Sequence, residues 1–204
     1  MTRLSCPMRM LTVALTVCVL CGISGCIYSR VRGDAERPVN VDMEVMAQSA
    51  IEQHTMNSAG LFPAEAPVEA AAISEKFTSV LHAQLLRARP FREIRMIPRQ
   101  AKSDAEALWY ARNEGCDLII LPSILYLADG SGAMPTRLVA RIRILDARTG
   151  MVFWDVKQIA RSVPGPDLDF TWTTISGEPA KRFPELAEKL ARDFTLYLVQ
   201  PVRR

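Results

Sequence analysis

Nine residues near the middle of the chain, RLVARIRIL at 137–145, alternate without interruption between two faces. Leu138, Ala140, Ile142 and Ile144 share one face, and Val139, Arg141, Arg143 and Leu145 the other, because successive side chains of a strand point to opposite sides. A helix cannot bury that pattern, so this segment must lie in a sheet with one dry face. DARTG at 146–150 then reads as a hairpin turn, with Gly150 free to take positive φ. MVFWDVKQIA at 151–160 returns as the partner strand. Whatever else the chain does, it is built around an antiparallel pair.

The flanking segments supply helices. Ile73, Phe77, Val80, Leu81, Leu85 and Ala88 recur every three or four residues and mark one helical face, ended by Pro90. Phe91, Ile94, Met96 and Ile97 form a short strand before Pro98. Ser103 and Glu106 make a capping box for a second helix that stops at Gly115. CDLIILPSILYL (116–127) is a buried strand, and Pro122, unable to donate, predicts a bulge or an edge there. VPGPDLDFTWTTISGEP (163–179) reads as a long proline-rich loop. A closing helix carries Phe183, Leu186, Leu190, Phe194 and Tyr197, with Pro184 in its first turn. Glu185–Lys189 and Glu188–Arg192 are spaced for i,i+4 pairs on its outer side. Residues 43–72 read as an early strand followed by a turn-rich connection. The order β-α-β-α-β-β-β-α predicts an α/β fold, a mixed β-sheet packed with helices.

The amino terminus carries a different message. Arg3 and Arg9 precede an apolar run from Met10 to Ile23, followed by Ser24, Gly25 and Cys26. A basic start, a short apolar stretch and small residues form a secretory signal peptide. The run is shorter than the ~20 residues that span a bilayer as a helix. Ile23-Ser24-Gly25-Cys26 resembles the bacterial lipobox. That resemblance implies cleavage before Cys26, a diacylglyceryl group on its sulfur and an acylated amino group. Cys18 and Cys21 follow the bulky Val17 and Leu20, and their spacing lacks the second ligand pair that zinc would need. Ile27, rather than Asp, after the cysteine implies the outer membrane. The expected organisation is a signal peptide at 1–25, a polar tether at 26–42 and one domain at 43–204.

Removal of 25 residues from 204 would leave 179, enough for one domain with a substantial core. It would also remove two of the 25 basic residues, leaving 23 against 22 acidic, a net charge of +1. A nucleic-acid footprint is therefore not expected. Cys6, Cys18 and Cys21 would leave with the leader, so Cys116 would be the one free thiol, expected as a small buried hydrophobe.

Catalysis needs converging groups, and few are legible. His54 and His82 form no metal-binding pair of the His-Glu-x-x-His type. Gly130-Ser131-Gly132 is too short to cradle a phosphate. Asp167 and Asp169 form an acidic doublet that could hold a hard cation, but a single doublet without further oxygens favours a solvated loop. Arg141 and Arg143 share one strand face and could meet an acidic partner or pair across the sheet. Phe170 and Trp172 could anchor a partner, dip into a membrane interface or fold back on the core. Trp109 and Trp154 are expected in the core. No catalytic residue and no metal site is expected.

ARNEGCDLIILPSILYL, a loop, and RLVARIRILDARTGMVFWDVKQ together resemble a class of periplasmic lipoproteins. The class includes the curli-secretion lipoprotein CsgG, the exopolysaccharide-export lipoprotein PelC, the peptidoglycan-synthase activator LpoB and the amino-terminal domain of TolB. The resemblance rests on a helix ending in Gly before a buried strand. It rests too on a hairpin turn with Asp146, Thr149 and Gly150 leading to Trp154, and covers residues 73–199. It implies a TolB-like sandwich and a lipoprotein of the outer membrane's periplasmic face. Its expected role is a non-catalytic accessory or scaffold in envelope assembly or export, contacting envelope proteins or copies of itself. The expected contact residues are Arg141, Arg143, Phe170 and Trp172, with no cofactor beyond the covalent lipid on Cys26. Two rivals stand beside it: an activator docking a periplasmic synthase, and an unrecognised hydrolase using Asp167 and Asp169.

Overall fold

The computed structural model describes residues 39–130 and 132–200. The signal peptide, Cys26 and the greater part of the tether lie outside the described residues. The predicted hairpin is the centre of the molecule: β5 (Thr136–Asp146) pairs antiparallel with β6 (Val152–Ser162). Its turn closes as the sequence requires. Gly150 takes φ +77°, and Asp146 Oδ1 accepts from the main-chain nitrogens of Arg148 and Thr149 and from Thr149 Oγ1.

Around that pair runs a six-stranded mixed sheet of order β1-β6-β5-β4-β2-β3. Its other members are β1 (Asn40–Ala47), β2 (Ser58–Leu61), β3 (Glu93–Met96) and β4 (Leu118–Ala128). The early strand exists, but it starts at Asn40, inside the segment expected to be tether. β2 was not legible. SAGL fell within residues read as an early strand and its connection, yet it is wholly buried between β3 and β4, parallel to both. Small size is the reason it fits. A Cβ on Gly60 would lie 2.6 Å from Ile97 Cδ1 and 3.2 Å from Cys116 Sγ.

Pro122 sits opposite Ile142 in the β4–β5 ladder, and its carbonyl accepts from Glu65 N on the other side. Nitrogen and carbonyl of one strand residue point the same way, so the missing donor costs no bond to β5. The irregularity falls at Leu125, between Ile124 and Tyr126.

Three helices complete the body: α1 (Ala71–Ala88), α2 (Asp104–Asn113) and α3 (Phe183–Val199). α1 stops at Arg89, which takes the left-handed φ of 49° just before Pro90. α1 and α3 cover one sheet face. Phe77, Leu81 and Leu85 meet Leu186, Leu190 and Phe194 over Leu138, Ala140, Ile142, Ile144 and Trp154. α2 lies on the opposite face, where Ala107 and Ala111 contact Phe62, Ile119 and Leu145. The capping box differs in detail. Ser103 Oγ accepts from Glu106 N, but the Glu106 carboxylate accepts from Lys102 N, one residue before the cap. On α3, Lys189 bonds Asp193 at 2.8 Å instead of Glu185, which meets Lys181 at 4.0 Å. Trp154 is buried as expected, but Trp109 is 56% exposed. α2 turns only its alanines inward, and Trp109 stacks edge-on against Tyr110.

The three core clusters are filled by residues between Val39 and Leu198. No helix among the described residues is long and apolar enough to cross a membrane.

Residues 165–178 form a separate small unit. In place of an irregular loop they contain a two-stranded hairpin, β7 (Leu168–Phe170) with β8 (Thr173–Ile175). Gly165 N donates to Glu178 O across its base.

Candidate functional site

The alternation of β5 and β6 places Arg137, Arg141 and Arg143 on the α2 side of the sheet, beside Asp155, Lys157 and Arg161. Asp42 and Glu44 of β1 continue that face. By register Arg143 lies opposite Asp155, and Arg141 opposite Lys157. The side chains pair otherwise. Arg141 donates through Nε and Nη2 to the two carboxylate oxygens of Asp155, at 2.8 and 2.5 Å. Arg143 forks onto Asp104 with 2.7 and 2.8 Å bonds. Both are bidentate, the geometry in which guanidinium and carboxylate match best.

Asp104 is the first residue of α2, after the Ser103 cap, where the helix amides favour a negative charge. The hydrogen-bonded Arg143 guanidinium holds its carboxyl below the usual value. The bond to Asp155 raises Arg141 further above its already high value. Sequence reasoning placed the two arginines on one face. The structure brings them together there and engages each with an acid of the same chain.

Beside this pair, where β2 leaves the sheet, lies an open cleft of about 450 Å³. Phe62, Pro63, Ser103, Asp104, Pro122 and Arg143 line it. Its hydroxyls are held by the main chain: Ser103 Oγ caps α2, and Ser123 Oγ donates to Arg141 O. The cleft thus presents a closed ion pair and a proline wall.

The remaining candidates hold structural positions. His54 is buried against Phe153 and Trp154, with ring centroids at 4.4 and 5.1 Å. Asn57 Nδ2 can only donate, so His54 Nδ1 accepts and Nε2 carries the proton toward Ser49 Oγ. Burial lowers its pKa, against a smaller opposing pull from Asp146. Cys116 is buried and its thiol is pushed up by desolvation, the opposite of an activated nucleophile. Asp167 Oδ1 accepts from Gly177 N within its hairpin. Among the described residues no group of three His, Cys, Asp or Glu side chains is placed to hold a metal ion. Trp172, in the turn of that hairpin, is 83% exposed. The Phe170 side chain and Cys26 lie outside what is described.

Comparison with solved structures finds the same architecture elsewhere. The PelC dodecamer from Paraburkholderia phytofirmans aligns at a TM-score of 0.56, covering 81% of this chain and 100% of the PelC chain at 14% identity. The chain shares its fold with PelC. A second PelC dodecamer from that organism, a point variant, gives 0.54, with 80% and 99% coverage at 13% identity. The C-terminal domain of LpoB from Escherichia coli overlaps in part, at a TM-score of 0.39 and 13% identity over 52% of this chain and 83% of that domain. No family model matches the chain, and no curated protein matches it in sequence.

Sequence reasoning missed the acids that engage the arginines and the stack of Arg137 on Tyr126, 5.6 Å from guanidinium carbon to ring centroid. Alternation would have put Arg137 on the arginine face. The bulge at Leu125, which sets the phase of Tyr126, left no mark in the sequence.

Proposed function

We propose that this chain is a lipid-anchored accessory protein of the bacterial envelope that works as a homo-oligomer and performs no catalysis itself. Cys26 carries the lipid, residues from Ile27 to Val39 form the tether, and Ile27 directs the protein to the periplasmic face of the outer membrane. There it serves envelope assembly or export.

The observation that carries this reading is the fold shared with PelC along the whole of the solved PelC chain, since that chain was solved as a dodecamer. Two open sheet edges support it. The outer sides of β1 and β3 have no strand beside them among the described residues, and free edge groups invite another chain. β1 carries Asp42 and Glu44, the latter paired with Lys157 of β6, while β3 carries the Glu93–Arg95 pair with Arg92 just before it. The closed ion pairs around the cleft support a binding role.

Sedimentation of residues 27–204 tests the assembly, with a mass above that of the monomer expected. A strict monomer at high concentration would remove it. Mass spectrometry of the native product tests the anchor, and an unmodified Cys26 thiol would overturn that part.

A further inference from the structure

Arg137 and Arg161 face each other directly across β5 and β6, and Asn40 at the start of β1 completes the row. Both arginines are exposed, and no ion pair engages either among the described residues. Like charges directly opposite on neighbouring strands destabilise a sheet. Arg141 and Arg143, on the same face and only four and six residues from Arg137, each have a carboxylate; this pair has none. Its nearest acid on β1, Asp42, lies opposite Ile159, one step further along the face. Their backbone positions are opposite one another and neither is held by a carboxylate, so both guanidiniums are free to turn onto one anion, and phosphate oxygens match their planar forks.

The surroundings say which phosphate. Arg137 lies over the ring of Tyr126, itself 50% exposed, so the charge sits on an amphipathic aromatic. The bulge at Leu125 leaves that side chain exposed beside it, and Met134 is exposed in the loop between β4 and β5. Asn40, opposite Arg161, is also where the chain coming from Cys26 enters the sheet. The 13 residues from Ile27 to Val39 span at most ~45 Å when fully extended. Basic, aromatic and apolar side chains therefore gather at the end of the sheet where the chain enters β1.

We propose that Arg137 and Arg161 form a phosphate-binding site, and that Tyr126 and Leu125 help seat this end of the sheet on the anionic surface of the bilayer. The choice of lipid as the phosphate source rests on Cys26 being the anchor. The site itself does not.

The test uses residues 27–204, which lack Cys26 and include every described residue of the sheet and core. The fragment is floated with vesicles of phosphatidylcholine alone and of phosphatidylcholine with phosphatidylglycerol. Preferential flotation with the phosphatidylglycerol vesicles, weakening as salt rises, is expected. One basic side chain near an anionic leaflet contributes about five-fold in binding, so Arg137→Gln/Arg161→Gln should lose roughly twenty- to thirty-fold. Arg87→Gln, on α1, should change little. Both targeted arginines are exposed, so the double variant should melt at or above the wild-type temperature. Equal flotation of the wild type and the double variant, or equal binding to both vesicle types, would overturn the site. A titration with inorganic phosphate separates the sources. Saturation by free phosphate that blocks flotation at low concentration would overturn the lipid assignment, as would binding of a soluble polyuronate without flotation. Because the fragment carries no acyl chain, this outcome is independent of the mass spectrometry at Cys26.

Discussion

Arg141 reaches past Lys157, the residue opposite it, and binds Asp155 on the diagonal. Asp155 is the direct cross-strand neighbour of Arg143, so a different pairing was open to it. Asp104 decides the matter. By drawing Arg143 toward the start of α2 it leaves Asp155 to Arg141, and one helix terminus sets the ion-pair pattern of two strands. Asp155 is nearly buried while Arg141 keeps about a third of its surface, so solvent screens part of the interaction. A double-mutant cycle with Arg141→Ala and Asp155→Ala should give a coupling of about 1 kcal/mol by urea denaturation. Strict additivity of the two losses would show that the pair contributes packing alone. Asp104→Ala should reduce that coupling, because Arg143 would then compete for Asp155.

Gly60 sets the distance between β2 and the layer beneath it. Its missing Cβ is the reason Ile97 and Cys116 can approach a strand of only four residues. Gly60→Ala places a methyl within hard contact of Ile97 Cδ1, and overpacking of this kind costs about 1–3 kcal/mol. Ile97→Val removes the clashing carbon, so the double variant should recover much of that loss in thermal melts. A Gly60→Ala protein as stable as the wild type would show that Ile97 has an empty rotamer to move into.

His54 gives the fold an acid-sensitive contact. Its folded pKa lies below the ordinary 6.5 because burial disfavours the cation. Below 6.5 the unfolded chain binds a proton that the folded chain resists, so stability is complete above that pH and falls as pH drops through it. Protonation would also oblige Nδ1 to donate toward the Asn57 amide nitrogen. A second loss should follow at lower pH as Asp104, held below its ordinary 3.8 by Arg143, takes up its proton. Denaturant midpoints measured across the weakly acidic range should slope for the wild type and lie flatter for His54→Gln. Parallel curves would remove His54 as the source.

Periodicity decided what could be read in advance. β5, β6, the Asp146–Gly150 turn and α3 each repeat one pattern long enough for burial to stamp it on the sequence. β2 is four small residues with no alternation, and its role depends on β3 and β4 arriving on either side. Trp109 misled because a large aromatic suggests a core position, whereas α2 docks through Ala107 and Ala111, where small size allows close approach. The site divides in the same way. A strand's two-residue period is enough to place Arg141 and Arg143 on one face. That Asp104, 39 residues earlier, would cap a helix lying over that face is a tertiary fact with no local signature.

Gln158 is an amide in an apolar place. It lies between Met43 and Ala140 on the face covered by α1 and α3, fully buried, and neither its Nε2 nor its Oε1 has a hydrogen-bond partner. A buried polar group left without a partner costs about 1–3 kcal/mol, while replacing it by an apolar group of the same shape removes that cost. Methionine has nearly the length and flexibility of glutamine and no amide. Gln158→Met should therefore stabilise the body by about 1 kcal/mol, a rise of roughly 2–4 °C in Tm for a chain of this size. Gln158→Ala should destabilise instead, since it leaves a cavity beneath α3 without the compensating fill. Thermal melts of the two variants separate the contributions. A Gln158→Met protein less stable than the wild type would mean that the amide is bonded in solution, and a water held between β6 and α3 would be the first place to look.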